Sequence, residues 1–300
     1  MRRLLDSISL QSFRDFEVIV TDDSPGDEVR ELCEQFKNEY SLTYFHNSIP
    51  LGTPENWNES LRRANGKWIK LMHDDDWFAY PYSLQKLYEL TLPVENCSFV
   101  FCGSTIIEDN KILHAEKISH FREMLLRKDP RNLFSRNVIG PPSVIMHKND
   151  RRLWYDNRMK WLVDVDFYIR FLQGQVYNFT RECLINVGFN EGQVTKQVFH
   201  DPEVVIPENL LLMSKLDNSV FLRIWNYDFC WRLIRNYKIR DEAGLYRLNF
   251  RKYDPHVPDF LLHIVRGQRK IPSSFLHKGI FSKAFMLLNY CTYFIAKKWN

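Results

Sequence analysis

Hydrophobic and polar positions in the first hundred residues alternate between two kinds of segment. Short, nearly continuous apolar runs such as Phe16 to Thr21 are typical of strands buried on both faces of a parallel sheet. The segments between these runs carry helix-start signals, including Ser24-Pro-Gly-Asp27 and Thr53-Pro54. This alternation predicts an α/β fold with a doubly wound, mostly parallel sheet flanked by helices.

The pattern changes after residue 103. Residues 119–137 look helical, Gly140-Pro-Pro142 predicts a rigid turn, and Trp161 to Leu172 is a strongly apolar helix. From residue 203 onward the chain is helical and aromatic, without a long linker or an internal repeat. We therefore predict a domain over residues 1–214, followed by a helical extension over residues 215–300.

Composition excludes several classes of protein. A chain of 300 residues with 45% hydrophobic and 15% aromatic content buries a large core and is not disordered. Its six cysteines are scattered, with no CxxC pair, and Met1 is not followed by a signal peptide. These features predict reduced thiols in a cytoplasmic protein, without a disulfide framework.

The net charge of +4 hides an uneven distribution. Residues 219–300 contain 15 Lys and Arg against five Asp and Glu, whereas the first 218 residues carry a net charge of −6. Within this basic region, Ala284 to Ala296 is uncharged and is followed by Lys297-Lys298-Trp299. Thirteen residues are too few to span a bilayer, which needs about 20. The sequence predicts that residues 275–300 contact a membrane surface rather than nucleic acid, with a helix packed on the body as the alternative.

The chemistry is concentrated where a short apolar strand, Lys67 to Met72, leads directly into His73 and three carboxylates. Two carboxylates roughly 6 Å apart repel by about 2–3 kcal/mol at an effective dielectric of 20, so a cation is expected to neutralise Asp74, Asp75 and Asp76. Mg²⁺ or Mn²⁺ carrying a phosphorylated substrate fits this role. In strand geometry Asp74 and Asp76 point together, whereas in a turn all three converge. An acidic helix cap is the structural alternative, and His73 is either a ligand or a polar loop residue.

Two further acidic positions are candidates for function. Asp22-Asp23 follows the first strand, where carboxylates can accept hydrogen bonds from a nucleoside base or ribose, or can form a strand-end turn. In the helix Trp161 to Leu172, Asp166 and Arg170 are spaced to pair with each other. Asp164 has no basic residue four positions on and is a candidate general base.

These residues resemble the ordered motifs of family-2 glycosyltransferases, and the resemblance covers roughly residues 4–200. The matching segments are Phe16 to Ser24, Asn47 to Gly52, Ala64 to Ile69, the acidic run, Gly140 to Ser143 and Val163 to Asp166. The resemblance implies the GT-A fold and an inverting transferase that uses a nucleotide-diphosphosugar donor, with a UDP-sugar expected first. The acceptor would be a glycan or a lipid-linked glycan, and the protein would be cytoplasmic, either free or peripheral at the inner face of the plasma membrane.

The resemblance also implies roles for individual residues. Asp22 or Asp23 would contact the base, and Asp74 and Asp75 would contact the donor. Asp76, Asp74 and His73 would hold Mn²⁺ or Mg²⁺ in the role of a DxD motif. Asp164 would deprotonate the acceptor hydroxyl. The acceptor side would be formed by Gly140, Pro142, Ser143 and Trp161.

The chain departs from the family in three places. It begins in the helix that follows the family's first strand and its base-pocket loop, so we expect either that Met1 is a misplaced start or that the protein lacks this strand and part of its donor site. Asn56-Trp57-Asn58 stands where the family commonly has Ala-Arg-Asn, and Asn190-Glu-Gly-Gln193 lacks a histidine that is often present. Two alternatives therefore stay open: a nucleotidyltransferase with a similar nucleotide site, and a catalytically inert module that binds a glycan or a partner.

Overall fold

The computed structural model describes residues 1–189, 198, 201–250, 253 and 256–298. The chain divides into two compact units, one made of Met1–Pro130 and Asn137–Gln193, the other of Arg131–Arg136 and Val194–Asn300. The predicted domain limit after residue 214 stays a prediction, because a compact unit and a domain need not end at the same residue. Two segments used in the sequence analysis, Asn190 to Gln193 and Trp299, lie outside the described residues.

The first unit contains eight strands and six α-helices among its described residues. The strands are β1 (Val18–Asp22), β2 (Leu42–His46), β3 (Trp68–Ile69), β4 (Trp77–Phe78), β5 (Cys97–Glu108), β6 (Lys111–Glu116), β7 (Ile145–Lys148) and β8 (Val176–Gly188). The helices are α1 (Arg2–Ser9), α2 (Glu28–Glu34), α3 (Glu55–Arg63), α4 (Ser83–Glu89), α5 (His120–Lys128) and α6 (Val163–Leu172).

The strands form two sheets. β1 and β2 pair in parallel, and the other six strands form one sheet in the order β3-β7-β5-β8-β4, with β6 also paired to β5. β5 and β8 are parallel, while the remaining four pairings in that sheet are antiparallel. The predicted α/β class is confirmed, but the expectation of a mostly parallel sheet is wrong for the described strands. The alternation of strands and helices along the chain gave no sign that β3, β4, β6 and β7 pair in antiparallel orientation.

Helix α6 packs against the middle of the larger sheet. Residues 97–104 of β5 are all buried, and the Phe99 ring lies 5.8 Å from that of Tyr168 and 5.6 Å from that of Phe171, both on α6. Asp166 on α6 is fully buried and pairs with Arg170 at 2.7 Å, which confirms the predicted pairing. This packing fixes the start of α6, which carries Asp164.

The second unit is helical throughout its described residues. Its α-helices are α7 (Pro202–Ser214), α8 (Ile224–Asn236), α9 (Glu242–Phe250), α10 (Asp259–Arg269), α11 (Ser273–Leu276) and α12 (Gly279–Lys298). The segment Arg131–Arg136 belongs to this unit because Phe134 contacts Phe221 and Phe229, with ring centroids 4.9 and 5.1 Å apart. The predicted carboxyl-terminal helical region is confirmed. A search of the described residues finds no helix whose length and apolar character would let it cross a membrane.

A buried histidine in the first unit makes folding stability dependent on pH. His147 on β7 is 2% exposed, and its ring lies between Phe167 and Phe171 at 5.2 and 5.1 Å. Burial lowers the pKa of His147 to about 4, because the charged imidazolium loses its hydration. His147 therefore binds a proton near pH 6.5 in the unfolded chain, but only near pH 4 in the folded chain.

We predict that the free energy of unfolding falls by about 3 kcal/mol through His147 as the pH drops from 6.5 to 4. The contribution is fully present above pH 6.5. In His147→Leu this part of the pH dependence should be absent, as measured by urea unfolding at a series of pH values. His120→Gln is the control, since the His120 side chain is 92% exposed. An unchanged pH dependence in His147→Leu would contradict the assignment.

Candidate functional site

The acidic run forms a turn between β3 and β4. The backbone N–H of Asp76 donates to the carbonyl of His73 at 3.2 Å, and the backbone N–H of His73 donates to Ser143 Oγ at 3.0 Å. The turn replaces the regular alternation of a strand, so the side chains do not follow the strand rule. His73, Asp75 and Asp76 can each bring one ligand atom within 4.8 Å of the others, whereas Asp74 is exposed and lies outside this cluster.

Asp76 is the most buried carboxylate of the turn, at 1% exposure. One oxygen, Oδ1, accepts from the backbone N–H of Gly188 at 3.1 Å, while Oδ2 is buried without a hydrogen-bond partner. Burial raises the pKa of Asp76 to about 7, and the nearby charge of Asp75 acts in the same direction. A buried carboxylate oxygen in this state costs free energy that a bound cation would offset.

His73 shares this environment. Its Nδ1 lies 3.7 Å from Asp76 Oδ2, and its Nε2 is buried without a hydrogen-bond partner. Burial lowers the pKa of His73, so the neutral ring, which can bind a metal, is favoured. One imidazole and two carboxylates form a donor set that suits Mn²⁺ and accommodates Mg²⁺. The residues of the cluster therefore fit a divalent metal.

Trp57 fixes the orientation of the histidine ring. The two rings are stacked with centroids 4.9 Å apart, and Tyr155 meets Trp57 edge-on at 5.3 Å. In the sequence, Trp57 stands out only as a departure from the family. A tryptophan beside a candidate ligand on another element gives no local pattern, so its role was visible only in three dimensions.

A glycine allows the sheet to approach the acidic turn closely. A Cβ atom at Gly188, the last residue of β8, would lie 2.3 Å from the backbone oxygen of Asp75. Real Cβ atoms do not come this close to a carbonyl, so any side chain at this position would displace the turn. Gly188 thus sets the position of the Asp75 backbone, and its N–H donates a hydrogen bond to the Asp76 carboxylate.

Ser143 joins the turn to the segment that the sequence assigned to the acceptor side. Ser143 is fully buried in the 3₁₀ helix Pro142–Val144, and its carbonyl accepts from Lys70 Nζ. Burial lowers the pKa of Lys70 to about 8, although the charge of Asp76 acts in the opposite direction. Pro142 begins the 3₁₀ helix and is buried, while Trp161 is half-buried just before α6. Their predicted acceptor contacts stay predictions.

Asp164 lies in the first turn of α6 and is held by a residue that the sequence analysis missed. Asn137 Nδ2 donates to Asp164 Oδ2 at 2.8 Å and to the carbonyl of Gly140 at 3.0 Å. Asn137 Oδ1 in turn accepts from the backbone N–H groups of Ile139 and Gly140, both at 3.0 Å. One amide therefore ties the candidate base to the Gly140 loop.

Gly140 has a backbone conformation that suits glycine, with φ of +113°, and its carbonyl also accepts from the Tyr168 hydroxyl at 3.1 Å. A Cβ at this position would lie 3.1 Å from Val144 Cγ2. The Gly140 loop is therefore anchored to α6 from two sides.

Asp22 and Asp23 are both engaged in hydrogen bonds within the first unit. Asp22 accepts from the backbone N–H and the hydroxyl of Ser24 and from the Tyr44 hydroxyl, at 2.9, 2.7 and 2.7 Å. Burial raises the pKa of Asp22, but these hydrogen bonds outweigh it and the pKa is lowered. Asp22 is thus held ionised, and its predicted contact with a base stays a prediction.

Asp23 organises the loop between β2 and α3. Its carboxylate accepts from Asn47 Nδ2 at 2.8 Å and from the backbone N–H groups of Leu51 and Gly52 at 3.0 and 2.7 Å. Asn47 Nδ2 also donates to Asn56 Oδ1 at 3.0 Å. The strand-end turn considered as the structural alternative is formed by Asp22 with Ser24, whereas Asp23 holds the loop between β2 and α3. The base contact predicted for Asp23 stays a prediction.

Comparison with known proteins identifies the family. Residues 1–148, which contain the acidic turn and Ser143, match the sequence profile of the family described as Glycosyl transferase family 2. Residues 1–148 belong to glycosyl transferase family 2. The recognition made from the sequence motifs is therefore confirmed.

Relatives of this family-2 glycosyltransferase come from several organisms. It is 24% identical to the GalNAc(5)-diNAcBac-PP-undecaprenol beta-1,3-glucosyltransferase of Campylobacter jejuni, over 72% of each chain. It is 24% identical to an uncharacterized glycosyltransferase of Methanocaldococcus jannaschii, over 57% of this chain and 59% of the relative. A third relative, an uncharacterized glycosyltransferase of Haemophilus influenzae, is 30% identical over 57% of this chain and 56% of its own length. The chain thus spans less than two thirds of some of its relatives.

Solved structures confirm the GT-A fold of the family-2 glycosyltransferase. S. aureus TarS 1-349 superposes with a TM-score of 0.60 at 14% identity, covering 96% of this chain and 84% of TarS. Its complex with UDP-GlcNAc gives a TM-score of 0.56 over the same shares. The mannosyltransferase PcManGT from Pyrobaculum calidifontis, in complex with GDP-Man and Mn²⁺, gives 0.52 at 12% identity, covering 96% and 81%.

We predict that Mn²⁺ stabilises the protein through the His73, Asp75 and Asp76 cluster. At one hundred times the dissociation constant, Mn²⁺ should add about 2.7 kcal/mol to the free energy of unfolding, seen as a rise in Tm by differential scanning fluorimetry. Asp75→Asn should remove this rise. Asp74→Asn is the matched control, because Asp74 belongs to the same turn but not to the cluster. A loss of the Mn²⁺ effect in Asp74→Asn alone would restore the original assignment of Asp74.

Proposed function

We propose that this protein transfers a sugar from a nucleotide-diphosphate donor to a hydroxyl group, with inversion at the anomeric carbon. The single observation that carries the proposal is the cluster of His73, Asp75 and Asp76, in which two buried polar atoms, His73 Nε2 and Asp76 Oδ2, have no hydrogen-bond partner. It is supported by family membership and by neighbours whose structures contain UDP-GlcNAc or GDP-Man. A UDP-sugar is the first donor to test.

The proposed reaction is a single displacement. Asp164 takes the proton of the acceptor hydroxyl, and the acceptor oxygen forms a bond to the anomeric carbon. The bond from that carbon to the diphosphate oxygen breaks, and its electron pair leaves with the nucleoside diphosphate. A metal ion bound by His73, Asp75 and Asp76 would supply positive charge near that leaving group. Attack from the face opposite the leaving group inverts the configuration.

The protein contributes to this reaction by holding its groups in place. Ser143 and Gly188 fix the acidic turn, and Asn137 fixes Asp164 against the Gly140 loop. Groups held in this way need little reorganisation when the substrate binds. The acceptor-side roles of Pro142 and Trp161 belong to the same proposal.

The acceptor is proposed to be a glycan or a lipid-linked glycan. The Campylobacter jejuni relative is by its name a glucosyltransferase that acts on an undecaprenol-linked glycan, which supports a lipid-linked acceptor here. We place the protein in the cytoplasm, peripheral to the inner face of the plasma membrane, where its basic carboxyl-terminal region would meet anionic lipids.

We predict that Asp164→Asn leaves donor binding intact while lowering kcat by about 100- to 10,000-fold, because the amide cannot accept the acceptor proton. Calorimetry with UDP-GlcNAc and GDP-Man in the presence of Mn²⁺ measures binding, and release of UDP or GDP measures turnover. Asp166→Asn is unsuitable as a control because Asp166 is buried and paired with Arg170.

Asp15→Asn serves as the control, since Asp15 is exposed in the first unit. Near-normal turnover in Asp164→Asn would show that the base assignment is wrong. Pyrophosphate release from a nucleoside triphosphate would support a nucleotidyltransferase instead. Failure to bind any nucleotide sugar would favour the inert module.

We predict that Asn137→Ala lowers kcat by about 10- to 100-fold with little change in the KM for the donor, because Asp164 loses the amide that positions it. Asn178→Ala is the matched control, since Asn178 is also half-buried and its amide holds a loop, donating to the carbonyl of Leu90. Steady-state kinetics and Tm are measured for both variants. Equal losses of kcat in the two variants would mean that Asn137 acts only on general stability.

A further inference from the structure

The last helix of the second unit packs on its neighbours through one side, which carries two buried polar residues beside the buried Met286. Two polar residues of α12, Ser282 and Asn289, are buried at 2% and 9% exposure. Ser282 Oγ accepts from Trp231 Nε1 at 3.1 Å and from an Arg235 guanidinium N–H at 2.9 Å. Asn289 Oδ1 accepts from the Tyr227 hydroxyl at 2.7 Å. These hydrogen bonds fix the rotation of α12 about its axis.

The opposite side of α12 is apolar and faces outward. We call this the outward stripe; it consists of six exposed side chains, Ile280, Phe281, Leu287, Leu288, Phe294 and Ile295, at 87, 48, 44, 62, 37 and 59% exposure. Their spacing follows the helical repeat, and at 1.5 Å per residue the stripe is about 22 Å long. An apolar stripe of this length on the surface of a protein marks an interaction site.

The charges beside the stripe favour an anionic partner. No Asp or Glu occurs after Asp259, whereas seven Lys and Arg do. Lys278 precedes the stripe, lies over the Phe275 ring at 5.5 Å, and forms no ion pair with a described residue. Lys297 and Lys298 follow the stripe in the sequence. A basic surface around exposed aliphatic and aromatic side chains is the chemistry of a helix that binds anionic lipid.

The same charges disfavour a second copy of this chain as the partner. A two-fold symmetric dimer through α12 would bring two surfaces of the same positive sign together, without carboxylates on either stripe to compensate. A bilayer supplies both an apolar interior for the six side chains and negative headgroups for the lysines.

We propose that the outward stripe of α12 inserts into the interface of an anionic membrane, while Ser282 and Asn289 keep the helix attached to the second unit. The helix therefore lies parallel to the membrane surface. This docking surface rests on the peripheral location proposed above and names the residues that would produce it. It is tested with lipid vesicles alone, without donor or acceptor, so that its failure is distinguishable from failure of the transfer reaction.

The chain provides its own position for a probe of insertion. Cys291 is exposed on α12, whereas Cys33, Cys97, Cys102 and Cys230 are buried. In a Cys183→Ser background, an environment-sensitive fluorophore on Cys291 reports whether α12 enters an apolar phase. We expect a blue shift with vesicles of phosphatidylcholine containing about one third phosphatidylglycerol, and a much smaller shift with phosphatidylcholine alone.

The double variant Leu288→Glu/Ile295→Glu should lower the vesicle partition coefficient by about tenfold or more in co-sedimentation, because it places two carboxylates in the stripe. Both residues are exposed, so its Tm should match that of the wild type. Ser274→Glu is the control for added negative charge, since Ser274 is exposed before the stripe.

Three outcomes would overturn the proposal. One is unchanged vesicle binding in the double variant. Another is equal binding of the wild type to neutral and anionic vesicles. The third is a lipid-free dimer of the wild type in sedimentation velocity that dissociates in the double variant, which would assign the stripe to a second copy.

Discussion

The buried carboxylate of Asp76 is the constraint on which the geometry of the first unit depends. A negative charge at 1% exposure is unfavourable, and its nearest ring nitrogen, His73 Nδ1 at 3.7 Å, belongs to an imidazole whose pKa is lowered by burial. Two segments far apart in sequence converge on the turn, since Gly188 donates to Asp76 and Ser143 accepts from His73. Lys70, just before the turn, donates to the Ser143 carbonyl. The turn is thus held in place, while the charge of the Asp76 carboxylate is fully compensated only when a cation binds.

The fold was predictable where the sequence pattern is local. β1, at Val18–Asp22, overlaps the strand predicted from Phe16 to Thr21, and the pairing of Asp166 with Arg170 followed from their spacing on α6. β4 has only two residues, too few to show any periodicity. β6 is exposed along its whole length and therefore has no apolar pattern. The signal for its hairpin with β5 is the Asp109-Asn110 turn, in which both residues have positive φ.

The candidate site was predictable in composition but not in detail. Consecutive carboxylates after a strand pointed to a cation, yet the choice among them depends on a turn whose hydrogen bonds come from Ser143 and Gly188. Strand alternation favoured Asp74, whereas the turn gathers Asp75 with His73 and Asp76. Asn137 and Trp57 act through residues distant in the chain, and neither an amide nor an indole carries a local signature of such a role.

The polar attachment of α12 has a consequence for how this protein can be dissected. Removing residues 275–300 would leave the Tyr227 hydroxyl and the Trp231 indole N–H without acceptors and would uncover the buried side of α8. Such a truncated protein would expose the apolar side of α8 that α12 normally covers. It would therefore aggregate, whatever the natural role of the helix. The carboxyl-terminal helix is therefore part of the packed structure of the second unit. The roles of its buried side and its outward stripe can be tested separately only by substitutions that keep the helix in place.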